Sequence, residues 1–203
     1  NEIYVTDSGN NSIRKITPQG TVSTLAGNIN SGSSDGSGVA ASFFVPNDIA
    51  LDSNGTAFIT DSNNHLIRKM SPQGQVTTLA GSSIPGNTNG SNLTASFRYP
   101  SGLAIDNQGN IYIADRYNHL IRKIKPDDSV VTLAGSGTYG NLNGTGIAAS
   151  FNYPIGIATD IAGNIYIADQ SNHLIRKIDS SGTVTTLAGS GSVGSLNGIG
   201  TNA

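Results

Sequence analysis

The apolar residues of this chain fall in short runs that turn sequences separate. Between Pro100 and Ala134 the runs read GLAID, IYIAD, HLIRKI and VVTLA, rich in Ile, Val, Tyr and Thr, which is typical of strands. Sequences with Asp, Gly or Pro lie between them, and no segment carries a helical period of useful length. Both alternating positions of IYIA are apolar, which predicts strands that are covered on both faces. This stretch therefore predicts four short antiparallel strands.

The same unit recurs along the whole chain at an interval of 54 residues. The interval relates three sets of residues: Asp7, Asp61, Asp115 and Asp169; Arg14, Arg68, Arg122 and Arg176; and Gly27, Gly81, Gly135 and Gly189. Four strands per copy at a fixed period are typical of a β-propeller, in which each sheet is a blade. A two-layer sandwich is the alternative, but it does not require near-identical successive units. We therefore predict an all-β fold, a β-propeller of four-stranded antiparallel blades.

The repeat boundaries predict a single propeller, or a propeller segment, over residues 1–203. The blade pieces are 1–27, 46–81, 100–135 and 154–189, joined by links rich in Gly, Asn and Ser, with a tail at 190–203. Asn1 aligns with Gly163 at the entry to the second strand, so we expect about four blades, the first lacking its innermost strand. Either the sequence is an excerpt of a longer propeller, or the open first blade exchanges a strand with a second copy in a homo-oligomer.

All three histidines of the chain occupy one position of the repeat, in the string NHLIRK. Strands are about 4.8 Å apart, so a residue on the third strand of a blade lies roughly 15 Å from the propeller axis. Equivalent residues on neighbouring blades are separated by a comparable distance. Zinc requires nitrogens within about 2.1 Å of one metal, and Asn11 replaces histidine in the first copy. We therefore predict structural roles for the histidines, each hydrogen-bonding within its blade, and for the aspartates that cap the loop before the third strand. These residues are His65, His119, His173, Asp61, Asp115 and Asp169.

The repeat resembles the NHL-repeat propeller family. The resemblance rests on the Asn-His-Leu of residues 64–66, 118–120 and 172–174, on the IRK that follows it, and on the TLAG that ends each blade. Copies with this TLAG and an ASF lead-in are similar to repeats of large surface and extracellular proteins. The resemblance implies a propeller that presents loops to a protein or glycan, at the cell surface or outside the cell. Some NHL-like propellers resemble peptide-amidating lyases or lactonases with a metal near the axis, which leaves an enzyme as the alternative.

Charge and composition narrow the partners. The formal net charge is −2, the sequence pI is about 5.8, and only 12% of the residues are charged, so nothing favours binding to nucleic acid or anionic membranes. RNA binding, which some NHL proteins show, needs a basic face. The chain has no cysteine, which excludes disulfides and thiolate chemistry. No apolar run approaches the roughly 20 residues that span a bilayer, so no membrane insertion is expected.

Glycine-rich and acidic motifs predict no cofactor. GSGTYG at 135–140 and GSGSVG at 189–194 match the dinucleotide fingerprint, but no helix follows to hold a pyrophosphate. These glycines are better explained as positive-dihedral positions of long loops. Asp52, Asp106 and Asp160 each precede glycine by three residues, which suits turn-capping carboxylates. A calcium site among the carboxylates remains the alternative.

Function is expected where the repetition fails. Arg116 and Tyr117 stand where the other copies carry Ser62 and Asn63 or Gln170 and Ser171. Three further residues, Tyr139, Arg98 and Asp48, are also unmatched by their counterparts. Arg and Tyr are favoured at binding hot spots, and these five residues form our predicted ligand surface, with neutral drift of exposed loops as the alternative. Axial catalysis would need non-repeated His, Asp or Glu, and Asp48 is almost the sole candidate, so a non-catalytic scaffold is favoured.

Overall fold

The computed structural model describes residues 2–203, which form β-strands, one-turn 3-10 helices and loops. The chain divides into two compact units, Asn1–Pro100 and Ser101–Ala203. Each unit contains two antiparallel sheets, and each sheet corresponds to one copy of the repeat. The β-strands that the hydrophobic pattern predicts are therefore confirmed.

In the first unit the strands run in two sheets with the orders β1-β2-β3 and β4-β8-β7-β6-β5. Their bounds are β1 Ile3–Asp7, β2 Ser12–Ile16, β3 Val22–Gly27, β4 Gly36–Ser37, β5 Pro46–Leu51, β6 Ala57–Asp61, β7 Leu66–Met70 and β8 Gln75–Ala80. The first sheet has three strands, as expected for a blade without its innermost strand. One-turn 3-10 helices lie at Ser8–Asn10, Gly38–Ala40 and Ser62–Asn64.

In the second unit the sheet orders are β12-β11-β10-β9 and β13-β17-β16-β15-β14. The bounds are β9 Pro100–Ile105, β10 Ile111–Asp115, β11 Leu120–Ile124, β12 Val130–Ala134, β13 Gly144–Thr145, β14 Pro154–Thr159, β15 Ile165–Asp169, β16 Leu174–Ile178 and β17 Thr183–Ala188. The first residue of β9, Pro100, is the last residue of the first unit. One-turn 3-10 helices lie at Arg116–Asn118, Gln170–Asn172, Gly146–Ala148 and Gly200–Asn202.

The links between blades contain short strands that the sequence did not predict. In the first unit β4 pairs with β8, the outer strand of the blade that follows the link, and the Gly38 N–H donates to the Gly74 carbonyl over 3.0 Å. In the second unit β13 pairs with β17 in the same way. These two-residue strands consist of Gly-Ser and Gly-Thr, so they leave no hydrophobic alternation in the sequence. Two sheets therefore have five strands, where we had predicted four.

Each unit has a core between its two sheets. Phe43 of the first unit and Phe151 of the second are fully buried there, and both come from the ASF lead-in of a blade. Every residue of β6 and β10 is buried, which confirms coverage on both faces for these two strands. Along β15 buried residues alternate with partly exposed ones.

The repeated arginine of the third strand is a buried group in the later blades. Arg68 is fully buried, and its Nη1 donates to the Asp61 carboxylate over 2.8 Å and to the Ser42 carbonyl over 3.1 Å. Its Nη2 donates to the Ser34 carbonyl over 3.1 Å and to Asp35 over 2.8 Å. The guanidinium therefore joins its own blade to the link that leads into that blade.

The second unit repeats this arrangement at Arg176. The guanidinium donates to Asp169 over 2.9 Å, to the carbonyls of Ser150 and Leu142, and to Asn143. The guanidinium also lies 5.3 Å from the centre of the Phe151 ring, within the range of cation–π attraction. Because Asn143 occupies the place of Asp35, one carboxylate on the blade is sufficient for this network.

A second recurring contact joins the histidine position to the lead-in of the next blade. The Tyr99 N–H donates to Nδ1 of His65 over 3.2 Å, and the Val45 N–H donates to the side-chain oxygen of Asn11 over 2.9 Å. Tyr99 and Val45 have positive φ values of 50° and 53° and precede prolines, a strained conformation for residues of these types. The expectation that the imidazole bonds within its own blade therefore describes only part of its contacts. In the first copy the side-chain oxygen of Asn11 takes the place of the imidazole Nδ1 as the acceptor.

The buried arginine pair predicts a large difference between two chemically identical substitutions. Arg68→Met leaves the buried Asp61 carboxylate without its cation, so we expect a loss of about 3–5 kcal/mol in the free energy of unfolding. Arg14→Met removes an arginine whose side chain is 33% exposed and lies 3.7 Å from Asp7, and we expect about 0–1 kcal/mol. Urea denaturation of both variants measures the difference. Equal losses would contradict a special role for the buried pair.

The His65 contact predicts that stability falls in mild acid. Burial, and then the charge of Arg98, lower the pKa of His65 from 6.5, and its Nδ1 must stay unprotonated to accept the Tyr99 N–H. Its contribution is therefore full above 6.5 and is lost as the pH falls below that value, where the unfolded chain takes up the proton first. His65→Asn keeps an acceptor without titrating. The denaturation midpoint of wild type should fall more than that of His65→Asn between about pH 7.5 and about pH 5.5, and parallel curves would refute the assignment.

Candidate functional site

An open cleft of about 460 Å³ lies in the second unit beside two one-turn 3-10 helices. It is lined by Arg116, Tyr117, Tyr153, Gln170, Ser171 and His173. We call this set of six residues the tyrosine–arginine cleft. Its walls combine one guanidinium, two phenol rings, an amide, a hydroxyl and an imidazole.

The repeated aspartates hold the two helices that carry the cleft residues. Asp115 precedes the turn that carries Arg116 and Tyr117, and its carboxylate accepts from the Asn118 amide over 2.8 Å and from Arg122 of β11 over 2.9 Å. Asp169 makes the corresponding bonds to Asn172 and Arg176. The Ser171 N–H also donates to the Asn152 carbonyl over 3.0 Å. The variable side chains are thus placed on turns that invariant parts of the repeat fix.

Tyr153 enters the cleft from the lead-in of the last blade. Its N–H donates to Nδ1 of His119 over 3.2 Å, and its φ is 52°. The imidazole of His119 and the Tyr153 ring meet edge to face, with centroids 4.7 Å apart. This is the same contact as the one between His65 and Tyr99 in the first unit, so the recurring histidine positions a ring of the candidate site.

Arg116 lies among aromatic rings and one amide. Its Nη2 donates to the side-chain oxygen of Gln170 over 3.0 Å. The central carbon of the guanidinium is 5.5 Å from the Tyr117 ring centre and 5.9 Å from that of Tyr153, within the range of cation–π attraction. The two tyrosine rings meet edge to face at 5.1 Å. Four side chains from two neighbouring blades therefore form one connected cluster.

In the part of the chain that the structure describes, the cluster carries the positive charge of Arg116 without a nearby negative charge. Within residues 2–203 the structure places no carboxylate at ion-pair distance from Arg116, and its buried Nε has no hydrogen-bond acceptor. The other cleft residues are neutral or, at His173, an imidazole. The cleft therefore presents a single cation that the protein does not neutralise.

The predicted surface residues fall into two groups. Arg116, Tyr117 and Tyr139 lie in the second unit. Tyr139 is 72% exposed, and its ring centroid is 6.2 Å from that of His119. Arg98 and Asp48 lie in the first unit. The Asp48 carboxylate accepts its neighbouring backbone N–H at Ile49, and Arg98 is exposed and acts on His65 through its charge.

Sequence reasoning missed Tyr153 and Gln170. Tyr153 has the same residue type as its counterpart Tyr99, so it is not a departure from the repeat. Gln170 is the counterpart of Arg116 in the last copy. The available signal was that Val45 stands at the tyrosine position of the first lead-in. A comparison restricted to the later copies does not include Val45, so it does not reveal that the tyrosine position varies.

The remaining motifs are parts of turns and loops. Asp52, Asp106 and Asp160 each accept backbone N–H groups two and four residues ahead. Gly135, which opens the dinucleotide-like string, has φ +105°, and a Cβ there would lie 2.6 Å from the His119 carbonyl oxygen. Residues 135–140 lead into no helix.

Within residues 2–203 no three His, Cys, Asp or Glu side chains form a group that could hold a metal ion. A cavity of about 420 Å³ lies between His173 and the tail residues from Gly189 onward. The described residues contain no helix with the length and hydropathy needed to cross a membrane.

Comparison with known proteins identifies the repeat. A sequence model of the NHL repeat matches residues 45–70, 97–124 and 151–178. The chain is 34% identical over 149 residues to Protein SUPPRESSOR OF QUENCHING 1, chloroplastic, from Arabidopsis thaliana. It is 32% identical over 154 residues to NHL repeat-containing protein 2 from Bos taurus. Each alignment covers 68% of this chain, and the two cover 14% and 21% of these relatives.

Solved structures confirm the fold. An auxiliary nutrient binding protein from Bacteroides thetaiotaomicron VPI-5482 is similar with a TM-score of 0.72 and 22% identity, over 91% of this chain and 45% of that protein. A streptogramin B lyase is similar with a TM-score of 0.64 and 15% identity, over 91% of this chain and 50% of the lyase. At these identities the likeness shows the β-propeller fold alone, and it covers both binding proteins and enzymes.

Proposed function

This chain belongs to the NHL-repeat β-propeller proteins, and we propose that it is a non-catalytic binding module whose ligand occupies the tyrosine–arginine cleft. The observation that carries the proposal is the cluster of Arg116 with Tyr117 and Tyr153, held on turns that the repeat fixes. Arg and Tyr dominate binding hot spots because they combine large area with polar contacts. We also propose that the module acts outside the cell or on its surface, as the TLAG and ASF type of repeat suggests.

Rigidity of the frame supports binding by this cleft. The turns below Arg116 and Gln170 are anchored by the buried pairs of Asp115 with Arg122 and of Asp169 with Arg176. A site held in its bound geometry loses little side-chain freedom when a ligand arrives, so less of the contact energy is cancelled.

A substitution series tests the site. Soluble chain is screened against immobilised saccharides, peptides and proteins, and each hit is titrated with wild type, Arg116→Ala and Tyr117→Ala. Hot-spot truncations cost about 1 kcal/mol or more, so we expect both variants to bind each cleft ligand at least about fivefold more weakly.

Lys125→Ala is the matched control, because Lys125 lies in an exposed turn of the same blade. Circular dichroism verifies that all variants fold. Hits that bind wild type and both cleft variants with equal affinity would exclude this cleft as the site.

The proposal that the module is non-catalytic and needs no cofactor has its own test. Similar propeller structures include a lyase, and the enzyme alternative that the family resemblance implies places a metal near the axis. We expect purified chain to carry only trace zinc and calcium by plasma mass spectrometry, and its melting midpoint to stay unchanged when calcium is added or chelated. Stoichiometric metal that survives dialysis would overturn the proposal.

A further inference from the structure

We propose that the ligand of the tyrosine–arginine cleft is a saccharide that carries a carboxylate. The inference rests on the proposed function and gives it a chemical class. Three properties of the cleft carry it: the unneutralised charge of Arg116, the two tyrosine rings beside it, and the amide and hydroxyl groups next to them.

The charge of Arg116 selects an anionic group. Within residues 2–203, Nη2 is the only nitrogen of this side chain that has a protein acceptor, and that acceptor is the neutral amide oxygen of Gln170. A guanidinium offers donors in a fixed fork that matches a carboxylate, and such charge-assisted pairs are about twice as strong as neutral hydrogen bonds. The other residues of the cleft supply no negative charge that would compete.

The rings select the body of the ligand. Tyr117 is 38% exposed, and its ring meets that of Tyr153 at an interplanar angle of 78°. The two rings therefore lie at a steep angle to each other beside the guanidinium, and Tyr117 is the one that is exposed. The C–H face of a pyranose packs on such an aromatic surface, while its rim of hydroxyl groups stays available for polar contacts.

The polar side chains match those hydroxyl groups. Gln170 uses its oxygen to hold Arg116, which leaves its amide nitrogen as a donor, and the Ser171 hydroxyl both donates and accepts. A ring with a carboxylate on one carbon and hydroxyls on the next can therefore engage the guanidinium, the amide and the hydroxyl together. The guanidinium would then pair with the carboxylate, and the amide and the Ser171 hydroxyl would pair with hydroxyl groups of the saccharide.

An acidic peptide fits these residues less well. Peptides are recognised by an added strand, a hydrophobic groove, or a cluster of arginines for acidic motifs. The cleft contains a single arginine and no aliphatic side chain. The observations therefore favour the saccharide over the peptide.

Titration calorimetry with matched probes tests the inference. The probes are oligogalacturonate, a hyaluronan oligosaccharide and oligosialic acid, each compared with its methyl ester, and a peptide rich in Asp and Glu. We expect at least one acidic saccharide to bind, with affinity reduced at least about tenfold by esterification and by Arg116→Gln. Lys125→Gln removes one exposed cation of the same unit and should leave that affinity unchanged.

Three outcomes would overturn the inference: no acidic saccharide binds, an ester binds as tightly as its acid, or the acidic peptide alone binds. The binding screen with Arg116→Ala and Tyr117→Ala is independent of these probes. If that screen gives a cleft ligand and the acidic saccharides fail, the ligand class is wrong and the binding site stands. If the screen shows no dependence on the cleft, both proposals fail.

Discussion

The buried arginine at the third strand position of the later blades, Arg68, Arg122 and Arg176, is the constraint on which these blades depend. Moving a charge out of water costs several kcal/mol per ion unless pairing and hydrogen bonds replace the lost hydration. Arg68 and Arg176 meet this requirement because each pairs with a buried aspartate and because the preceding link supplies carbonyls and a side-chain oxygen. Burial raises the pKa of Asp61, and bonds from Phe44, Asn64 and Arg68 oppose that rise. The link is therefore ordered by an electrostatic requirement of the sheet.

A second constraint connects this frame to the candidate site. Tyr153 and Val45 hold positive φ values directly before proline, and such a conformation persists only where its surroundings impose it. The side chains of His119 and Asn11 accept the backbone N–H of these residues. At Tyr153 the same contact sets the position of a ring that Arg116 approaches. The histidine that names the repeat thus acts as a positioning residue for the cleft.

The site illustrates how a repeat protein acquires an individual surface. Asp115 and Asp169 fix equivalent turns in two neighbouring blades, so a change of side chain on those turns changes the surface without changing the frame. Arg116 and Gln170 occupy the same position of the repeat and bond to each other across the two blades. The cleft therefore depends on the side chains of two neighbouring copies together. Relatives that share the fold can therefore differ in what they bind.

The sequence by itself determined the four strands of each complete blade, the turns and the repeat, because these depend on local periodicity and on turn chemistry within a few residues. Asp106 capping its own turn is such a case. The sequence also indicated Arg116 and Tyr117 as candidate ligand-binding residues, because an alignment of the repeat copies is enough to show where one copy differs. Only the tertiary structure decided that Arg68 is buried while Arg14 is partly exposed, although both occur in an IRK string. The tertiary structure alone also brought Tyr153 and Gln170 to Arg116, because burial and contact depend on residues that lie far apart in the chain.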